Sequence, residues 1–376
     1  MSEDQWGEYL RAKEPGVREK AYAWKTAIGL QKVDGLTPSD YLLETARRNI
    51  EGEITLAESR DLVSEYHKAK RLAGGDGTDR SAEADLVSQH ITEILSEDSF
   101  TFSPEELVSI HRRLFDGVFE FAGRIRDYDI TKNEWVLGGD TVKYGSSFRL
   151  MELLVFDFKQ EKEFSYIGLS EDALIAHIAR FTSNLWQIHA FGEGNTRTTG
   201  VFVIKYLRTL GFDVQNDVFA ENAWYFRNAL VRANYTNVPK GVEETTEYLE
   251  KFFRNLLLGE GNVLQSRYLI VGGWRDTTDP TSNPTSSPTS KVEAKKISGL
   301  QFSQQVRRLL LAMKGEMTRA AIMKSVGLKD RVTFVESYLG PALKVGLVEM
   351  TQPNSPRSPT QRYRLTAFGL EAKNHR

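Results

Sequence analysis

The stretch HAFGEGNTR, residues 189–197, joins the two segments with the strongest helical patterns in the chain. Upstream, apolar residues recur at three- and four-residue steps from Leu174 to Ile188, which predicts an amphipathic helix with Ser170 as its N-cap. Downstream, a second helix is predicted to begin near Asn195. The sequence therefore predicts two helices connected by a short loop that contains glycine.

The residue types in this loop suit a phosphate-handling site. Glycines let the backbone turn and approach a ligand closely, and the N-terminus of the following helix attracts anions. Glu193 beside such a site suits Mg²⁺, which prefers one or two carboxylates together with phosphate oxygens. His189 is placed to accept a proton from an attacking hydroxyl, and Arg197 to bind phosphate. Each feature alone is more often structural, but their combination predicts a phosphate site.

Several other chemistries are excluded by the sequence. It contains no GxxxxGK[ST] phosphate loop, no HExxH and no GxSxG. It contains no cysteine, which excludes disulfides, thiolate zinc sites and cysteine nucleophiles. The N-terminus resembles no secretion signal, and no apolar run approaches the roughly 18 residues of a membrane helix. We therefore expect a cytoplasmic protein without a membrane partner.

Composition changes divide the chain into four predicted parts. Residues 1–80 form an N-terminal helical region, and residues 81–270 form the main body. Residues 271–296 include a Ser/Thr/Pro-rich segment with almost no apolar side chains, which predicts a linker. Residues 297–376 form a separate C-terminal domain.

The predicted fold class is mainly α, with two exceptions. The segment from Ile125 to Tyr144 has short alternating runs around Gly138-Gly139-Asp140, which predicts a β-hairpin. The C-terminal part shows a helix, two further helices and then two strands, an order typical of a winged helix. This part is basic, with 16 Lys and Arg against 6 Asp and Glu from Lys291 onward. DNA is therefore a predicted partner, with Lys329 and Arg331 as contacts.

The loop closely resembles the Fic family pattern HPFx(D/E)GNGRxxR. FAGRIR, residues 121–126, resembles the AGxxR element before the Fic flap, and the predicted hairpin lies where that family has its target-docking flap. WYFRNAL, residues 224–230, falls where family members have a nucleotide-pocket helix. The resemblance covers roughly residues 100–255 and implies a Fic-type helical core with a β-hairpin flap, followed by a winged helix.

The resemblance implies a protein adenylyltransferase that transfers AMP from ATP to a Ser, Thr or Tyr hydroxyl of a protein target or of itself. His189 would be the catalytic base, and Glu193 would bind Mg²⁺. The implied nucleotide-binding residues are Gly192, Gly194, Asn195, Thr196, Arg197, Tyr225 and Asn228. The implied flap residues, which would pair with an extended target segment, are Thr131, Lys132, Asn133, Thr141 and Val142.

Three positions depart from the family pattern. Ala190 replaces a proline and Thr196 replaces a glycine. Gly200 stands where the pattern has its second arginine, which leaves open how the terminal phosphate is held and which nucleotide is used. Many Fic proteins also carry an inhibitory helix with the pattern [S/T]xxxE[G/N]. Residues 47–52 offer Glu51 as a candidate inhibitory residue, although Arg47 stands where Ser or Thr is expected.

Two alternative functions remain open at the level of the sequence. The loop could use a nucleotide other than ATP, since related Fic-like loops phosphorylate or use UTP or CTP. The chain could instead be a DNA-binding transcriptional regulator with a weak or inactive Fic core. The sequence does not identify the protein target. Because Fic proteins are often dimers, a second copy of the chain is a further candidate partner.

Overall fold

The computed structural model describes residues 3–11, 16–73, 80–214, 217–273, 300–353, 355–356, 358 and 360–374. The predicted mainly α fold is confirmed. The helices of the first 260 residues are α1 Glu3–Arg11, α2 Val17–Leu30, α3 Asp40–Ile50, α4 Leu56–Leu72, α5 Ser81–Ser96, α6 Pro104–Leu114, α7 Leu150–Glu163, α8 Glu171–Ile188, α9 Asn195–Thr209, α10 Val218–Ala233 and α11 Glu247–Leu258.

The two helices around the 189–197 loop form as the sequence predicts. Ser170 caps α8 by accepting a hydrogen bond from the N–H of Ala173, and the apolar stripe of α8 is buried. The helix ends at Ile188 with His189 as its C-cap, and α9 begins at Asn195, directly after Gly194. Helix α9 is almost entirely buried and packs against α5, α6 and α8. The loop is therefore anchored at both ends in the hydrophobic core.

The N-terminal helices share this core. Helix α2 packs against α5 and α10, and its Ala23, Ala27 and Leu30 belong to the main hydrophobic cluster. Gly29 explains how closely α2 and α10 approach, since a Cβ there would lie 2.3 Å from the carbonyl oxygen of Ala220. A short 3₁₀ turn, Gln31–Asp34, extends α2 toward the start of α9. The end of α2 is thereby brought to the functional loop.

The predicted β-hairpin differs in the structure. The segment of residues 125–144, which we call the flap segment, folds back on itself around Gly138 and Gly139, which have φ of 67° and 91°. It contains a 3₁₀ turn at Trp135–Leu137 and no strand. The side-chain oxygen of Thr141 accepts the N–H of Lys132, taking the place of a main-chain acceptor. The turn is therefore as predicted, and main-chain bonds from the Glu134 N–H to the carbonyl of Asp140 and from the Gly139 N–H to the carbonyl of Glu134 close it, but they do not continue into a strand ladder.

The C-terminal part follows the predicted order of elements. Its helices and strands are α12 Gln304–Ala312, α13 Arg319–Ser325, α14 Arg331–Phe334, α15 Gly340–Lys344, β1 Val348–Met350, β2 Tyr363–Leu365 and α16 Ala367–Asn374. Strands β1 and β2 are antiparallel, with Val348 opposite Leu365. A π-helical turn, Val335–Leu339, joins α14 to α15 ahead of Pro341, which has no N–H to donate. The final helix α16 was not predicted.

The C-terminal part packs directly on the end of α9. Phe302 stacks on Phe212 with ring centroids 5.4 Å apart, and the N–H of Ser303 donates to the carbonyl of Gly211. Both regions belong to one hydrophobic cluster. Of the predicted linker, only residues 271–273 are described, and the rest lies outside the described residues. Within the described ranges, none of the helices combines the length and apolar character needed to cross a bilayer.

Candidate active site

His189 has an unusual backbone at the end of α8. Its φ of 50° is in the left-handed region, and it is the only residue other than glycine with a positive φ among those described. Such a conformation costs roughly 1–3 kcal/mol and is concentrated at functional sites. Here it is held by a hydrogen bond of 3.1 Å from the His189 N–H to the carbonyl of Trp186. The backbone thus fixes the position of the Cβ atom that carries the imidazole.

The imidazole of His189 is prepared to accept a proton. Its Nδ1 lies 3.3 Å from the carbonyl of Trp186, which can only accept, so Nδ1 carries the hydrogen. Nε2 then carries the lone pair, and it is buried without a hydrogen-bond partner. Burial, and next the positive charge of Lys132, lowers the pKa of His189 well below 6.5. The ring is therefore neutral at pH 7, with one nitrogen free.

The start of α9 has the features of an anion site. Gly194 is the N-cap with φ of 77°, and a Cβ there would lie 2.2 Å from the ring of Phe115, so only glycine fits. The N–H groups of the first helical turn have no carbonyl partner within the helix, and the helix dipole adds positive potential. The Asn195 side chain closes the loop, because its Nδ2 donates to the carbonyl of Phe191 and its Oδ1 accepts the Phe191 N–H. Asn195 therefore shapes the loop.

Thr196 has a specific partner in this loop. Its hydroxyl oxygen accepts a hydrogen bond of 2.9 Å from the indole N–H of Trp186. Because the carbonyl of Trp186 also holds both the backbone and Nδ1 of His189, the side chain of Thr196 stabilises the residue that orients the imidazole. A glycine at this position would leave the buried indole N–H without that acceptor. The departure from the family pattern thus has a structural reason.

His111 contacts the loop from α6 and was not among the site residues predicted from the sequence. Its Nδ1 accepts the N–H of Gly123 at 2.8 Å, so its Nε2–H donates to the carbonyl of Glu193 at 3.1 Å. The ring stacks on Phe191 at 3.8 Å between centroids. Burial lowers the pKa of His111 to about 4, so the neutral form with this tautomer is the stable one. No local sequence signal connects residues so far apart in the chain.

Arg126 is the residue of the FAGRIR element that contacts the 189–197 loop. The buried guanidinium donates from Nε to the carbonyl of His189 at 2.8 Å and also bonds the carbonyls of Tyr128 and Gly145. Its own backbone N–H donates to the carbonyl of Ala190. Arg126 thereby ties the 189–197 loop to both ends of the flap segment. The sequence predicted the element but assigned no function to this side chain.

Glu193 faces the flap segment across an ion pair. The ammonium of Lys132 lies 3.2 and 3.3 Å from the two carboxylate oxygens, and the N–H of Gly194 donates to Oε1. Burial acts to raise the pKa of Glu193, but Lys132, the N–H of Gly194 and the charge of Arg197 together outweigh it, and the pKa is lowered. Among the described residues, no group of three or more His, Asp or Glu is arranged to hold a metal ion. A single ionised carboxylate beside an anion site does fit Mg²⁺ held mainly by phosphate oxygens.

The side chain of Arg197 points into the protein core rather than toward the 189–197 loop. Its side chain is fully buried, with Nε 2.8 Å from Asp34 in an ion pair without hydrogen-bond geometry. Nη2 donates to Glu83 at 2.7 Å, and Nη1 donates to Gln31 at 3.1 Å. Burial raises the pKa of Asp34 even though Arg197 lowers it. The guanidinium predicted to hold phosphate is thus already bound by α5 and the turn after α2.

Packing explains the glycine at position 200. A Cβ there would lie 3.4 Å from Leu30 and within 4 Å of the rings of Phe219 and Phe226. An arginine at this position would need these apolar side chains to move. Where the family pattern has its second arginine, this chain has a glycine, which lets α9 pack closely against α2 and α10.

Glu51 lies at the C-terminal end of α3 with its side chain on the surface. Its carboxylate bonds the Tyr9 hydroxyl and the Arg47 guanidinium. Arg47, which stands where the inhibitory pattern has Ser or Thr, also bonds Glu44. The carboxylates on Arg197 are those of Asp34 and Glu83, so the structure does not bring Glu51 into contact with that arginine.

The predicted base-pocket residues on α10 face inward. The Tyr225 hydroxyl donates to the carbonyl of Tyr248, and the Asn228 amide donates to the carbonyl of Trp224. Both side chains are buried. The outward face of α10 carries Trp224, which is 38 % exposed, and Arg227. The structure therefore places different residues on the open side of this helix.

The flap segment reaches His189 through a chain of buried contacts. Arg227 donates two hydrogen bonds to the buried carboxylate of Glu134, whose Oε1 accepts the Tyr144 hydroxyl at 2.9 Å. The ring of Tyr144 lies 4.2 Å from that of His189 between centroids. The sequence named neither Glu134 nor Tyr144 as a site residue. Among the predicted docking residues, Thr131 and Asn133 are exposed, Lys132 and Thr141 are partly buried, and Val142 is buried.

Two parts of the chain are similar to known protein families. Residues 101–207 match the model described as Fic/DOC family, and residues 304–366 match the model of the C-terminal domain of Filamentation induced by cAMP protein Fic-like. Each match covers less than half of the chain, and in these two regions the chain is similar to Fic family proteins. A crystal structure of a Fic family protein from Desulfovibrio desulfuricans G20 is 19 % identical and covers 97 % of this chain and 93 % of its own, with a TM-score of 0.43. No curated protein matches the chain.

Proposed function

We propose that the chain transfers AMP from ATP to a Ser, Thr or Tyr hydroxyl of a protein target or of itself. The observation that carries this proposal is the free Nε2 of His189, buried and unprotonated at the end of α8, in the loop that leads to the N-terminus of α9. A hydroxyl that reaches this nitrogen would find a proton acceptor and an adjacent anion site.

The proposed reaction uses the residues as follows. Nε2 of His189 accepts the proton of the target hydroxyl as its oxygen forms a bond to the α-phosphorus. The bond from that phosphorus to the bridging oxygen breaks, and pyrophosphate leaves. The N–H groups at the start of α9 stabilise the negative charge on the α-phosphate oxygens. Mg²⁺ held by Glu193 and the phosphates would neutralise charge on the leaving group.

The proposal is tested by incubating the purified protein with Mg²⁺ and each α-³²P-labelled nucleotide, with and without a cell extract as a source of targets. We expect label on protein from ATP, and its loss in His189→Ala but not in His90→Ala, a partly buried histidine bonded to the carbonyl of Leu114. Label from another nucleotide would keep the mechanism and change the substrate. No label from any nucleotide would contradict the proposal.

Inhibition by Glu51 is part of the same proposal, following the family pattern. A gain of label in Glu51→Gly would support it. Asp34→Asn provides the comparison, because Asp34 contacts Arg197 directly whereas Glu51 bonds Tyr9 and Arg47. An unchanged Glu51→Gly beside a more active Asp34→Asn would move the inhibitory role from α3 to the turn after α2.

The alternative of a DNA-binding regulator has one favourable observation. Lys329 and Arg331 are exposed at the start of α14, and neither has an acidic partner among the ion pairs of the described residues. Arg364, in contrast, is paired with Glu316 and Glu349. Binding to duplex DNA that weakens with salt and is reduced in Lys329→Glu would support this role. Absence of salt-dependent binding to any duplex would remove it.

A further inference from the structure

The ion pair between Lys132 and Glu193 joins the flap segment to the 189–197 loop. The ammonium lies nearly equidistant from the two carboxylate oxygens, at 3.2 and 3.3 Å. A bidentate position of this kind is where a cation best neutralises a carboxylate. Lys132 therefore occupies the side of Glu193 that an incoming divalent cation would also need.

Both partners of this ion pair are held in place by further bonds. The Glu193 carbonyl accepts a hydrogen bond from His111, and its Oε1 accepts the N–H of Gly194. On the other side, the backbone N–H of Lys132 donates to the hydroxyl of Thr141. The contact is therefore a built feature of the folded chain, and only the flexible side chain of Lys132 has to move to release Glu193.

We propose that Lys132 is the internal counter-ion of Glu193 and competes with the divalent cation for this carboxylate. The inference rests on the proposed function, because it assumes that a nucleotide binds at the start of α9. Without a cation, the negative charge of Glu193 would repel the phosphates of a nucleotide. Lys132 removes this repulsion when no metal ion is bound, and it gives way when a metal ion arrives with the nucleotide.

The competition predicts how metal and nucleotide binding are coupled. In the wild-type protein, the nucleotide should keep measurable affinity without a divalent cation, because Lys132 neutralises Glu193. In Lys132→Met, no positive charge neutralises Glu193, so the affinity for the nucleotide without a metal ion should fall. The metal ion should then bind to Glu193 without a competitor, and the half-saturating Mg²⁺ concentration should decrease.

The experiment measures binding by calorimetry and needs no turnover. The probe is an ATP analogue with a methylene group between the α- and β-phosphorus, which cannot release pyrophosphate. It is titrated in EDTA and in Mg²⁺ into the full chain and into Lys132→Met, Lys132→Arg, Glu193→Gln and the double variant Lys132→Met/Glu193→Gln. Lys143→Met is the matched control, since Lys143 is an exposed lysine of the same flap segment.

We expect Lys132→Met to lose about tenfold in affinity in EDTA and little in Mg²⁺, a coupling of ordinary size between two bound groups. Lys132→Arg, which keeps the charge, and Lys143→Met should resemble the wild type. In the Glu193→Gln background, Lys132→Met should have no effect. An equal loss in that background would mean that Lys132 binds the phosphates itself, and it would overturn the inference.

Different results would contradict the competition at Glu193 and the proposed function. If the wild-type protein binds the analogue but Lys132→Met has the same Mg²⁺ dependence, the competition is wrong and the proposed function stands. If the wild-type protein binds no analogue even in Mg²⁺, the proposed function fails and the inference fails with it. Circular dichroism of each variant establishes that a lost affinity does not come from unfolding.

Discussion

At the scale of single residues, side chains that are distant in the chain hold the 189–197 loop in place, since His111 donates to the carbonyl of Glu193 and Arg126 donates to the carbonyl of His189. His189, Glu193 and Asn195 were found because they are neighbours in the chain. His111, Arg126 and Tyr144 were not assigned roles, because their contacts with the loop span tens of residues. Arg197 was assigned to phosphate from its position in the first helical turn, yet its partners are Asp34, Glu83 and Gln31. Local patterns specify residue types, whereas long-range packing determines their partners.

Thr196 provides a residue-scale test of the loop. Thr196→Val should leave the buried indole N–H of Trp186 without an acceptor and lower the free energy of unfolding by about 1–3 kcal/mol. The rate of label transfer should also fall, because Trp186 orients His189. Thr196→Ser keeps the hydroxyl and should stay close to wild type in both measurements. Urea unfolding and initial rates check this, and equal behaviour of the two variants would contradict it.

The protonation of His189 sets the expected pH dependence of transfer. A general base works above its pKa, and the pKa of His189 is held well below 6.5 by burial and by Lys132. The rate should therefore not fall as the pH drops through 6.5, and its acid limb should lie lower. Lys132→Met should move that limb to higher pH, since a positive charge is removed. An acid limb at or above pH 6.5 in the wild type would show that Nε2 is not the base.

The protonation of His111 makes the stability of the fold depend on pH. Its pKa is about 4 in the folded chain and near 6.5 when unfolded, so the unfolded state binds more protons between these values. Stability should therefore decrease as the pH falls from about 6.5 toward 4, by up to about 3 kcal/mol from this group. His111→Gln should reduce that dependence. Urea unfolding at pH 7 and pH 5 measures it, and an unchanged slope in the variant would contradict the assignment.

At the scale of elements, the sequence predicted helices well and their packing only in part. The apolar periodicity of α8 and its serine cap were sufficient to place that helix. The flap segment was predicted as a hairpin because alternation and Gly138-Gly139 are local signals, but its main-chain bonds stop at the turn between Glu134 and Asp140, and the N–H of Lys132 donates to the side chain of Thr141. The inhibitory pattern pointed to α3, whereas the turn after α2 supplies Asp34 to Arg197. Which N-terminal element reaches the loop depends on the close approach of α2 to α10, which no local pattern encodes.

The buried ion pairs of Arg197 can be tested by stability. Glu83→Gln keeps the shape but leaves the buried guanidinium of Arg197 with less negative charge, so the free energy of unfolding should fall by about 3 kcal/mol. Glu51→Gln, on the exposed end of α3, should change it by less than about 1 kcal/mol. Urea unfolding of both variants decides this. Equal effects would mean that the buried ion pair contributes no more than the surface one.

At the scale of the whole molecule, the order of the C-terminal elements was predictable but their docking was not. The sequence suggested a separate basic domain after a linker. The structure places Phe302 on Phe212 and the side chains of Val306 and Pro341 against Gly211, so the C-terminal part completes the core at the end of α9. Lys344 adds a contact with the ring of Tyr206, 5.1 Å from its centroid. A composition change marks a boundary in the chain, but it does not determine whether the parts on either side pack together.

This shared core predicts that the two regions unfold together. Differential scanning calorimetry should show one cooperative transition for the full chain, because separating the regions would expose Phe212 and Phe302 to water. Phe302→Ala should lower the free energy of unfolding by about 3–5 kcal/mol. Phe148→Ala is the matched control, since Phe148 is 93 % exposed and its loss should change little. The wild-type protein could instead show two separate transitions, of which Phe302→Ala shifts only one. That result would show that the C-terminal part is thermodynamically independent of the core.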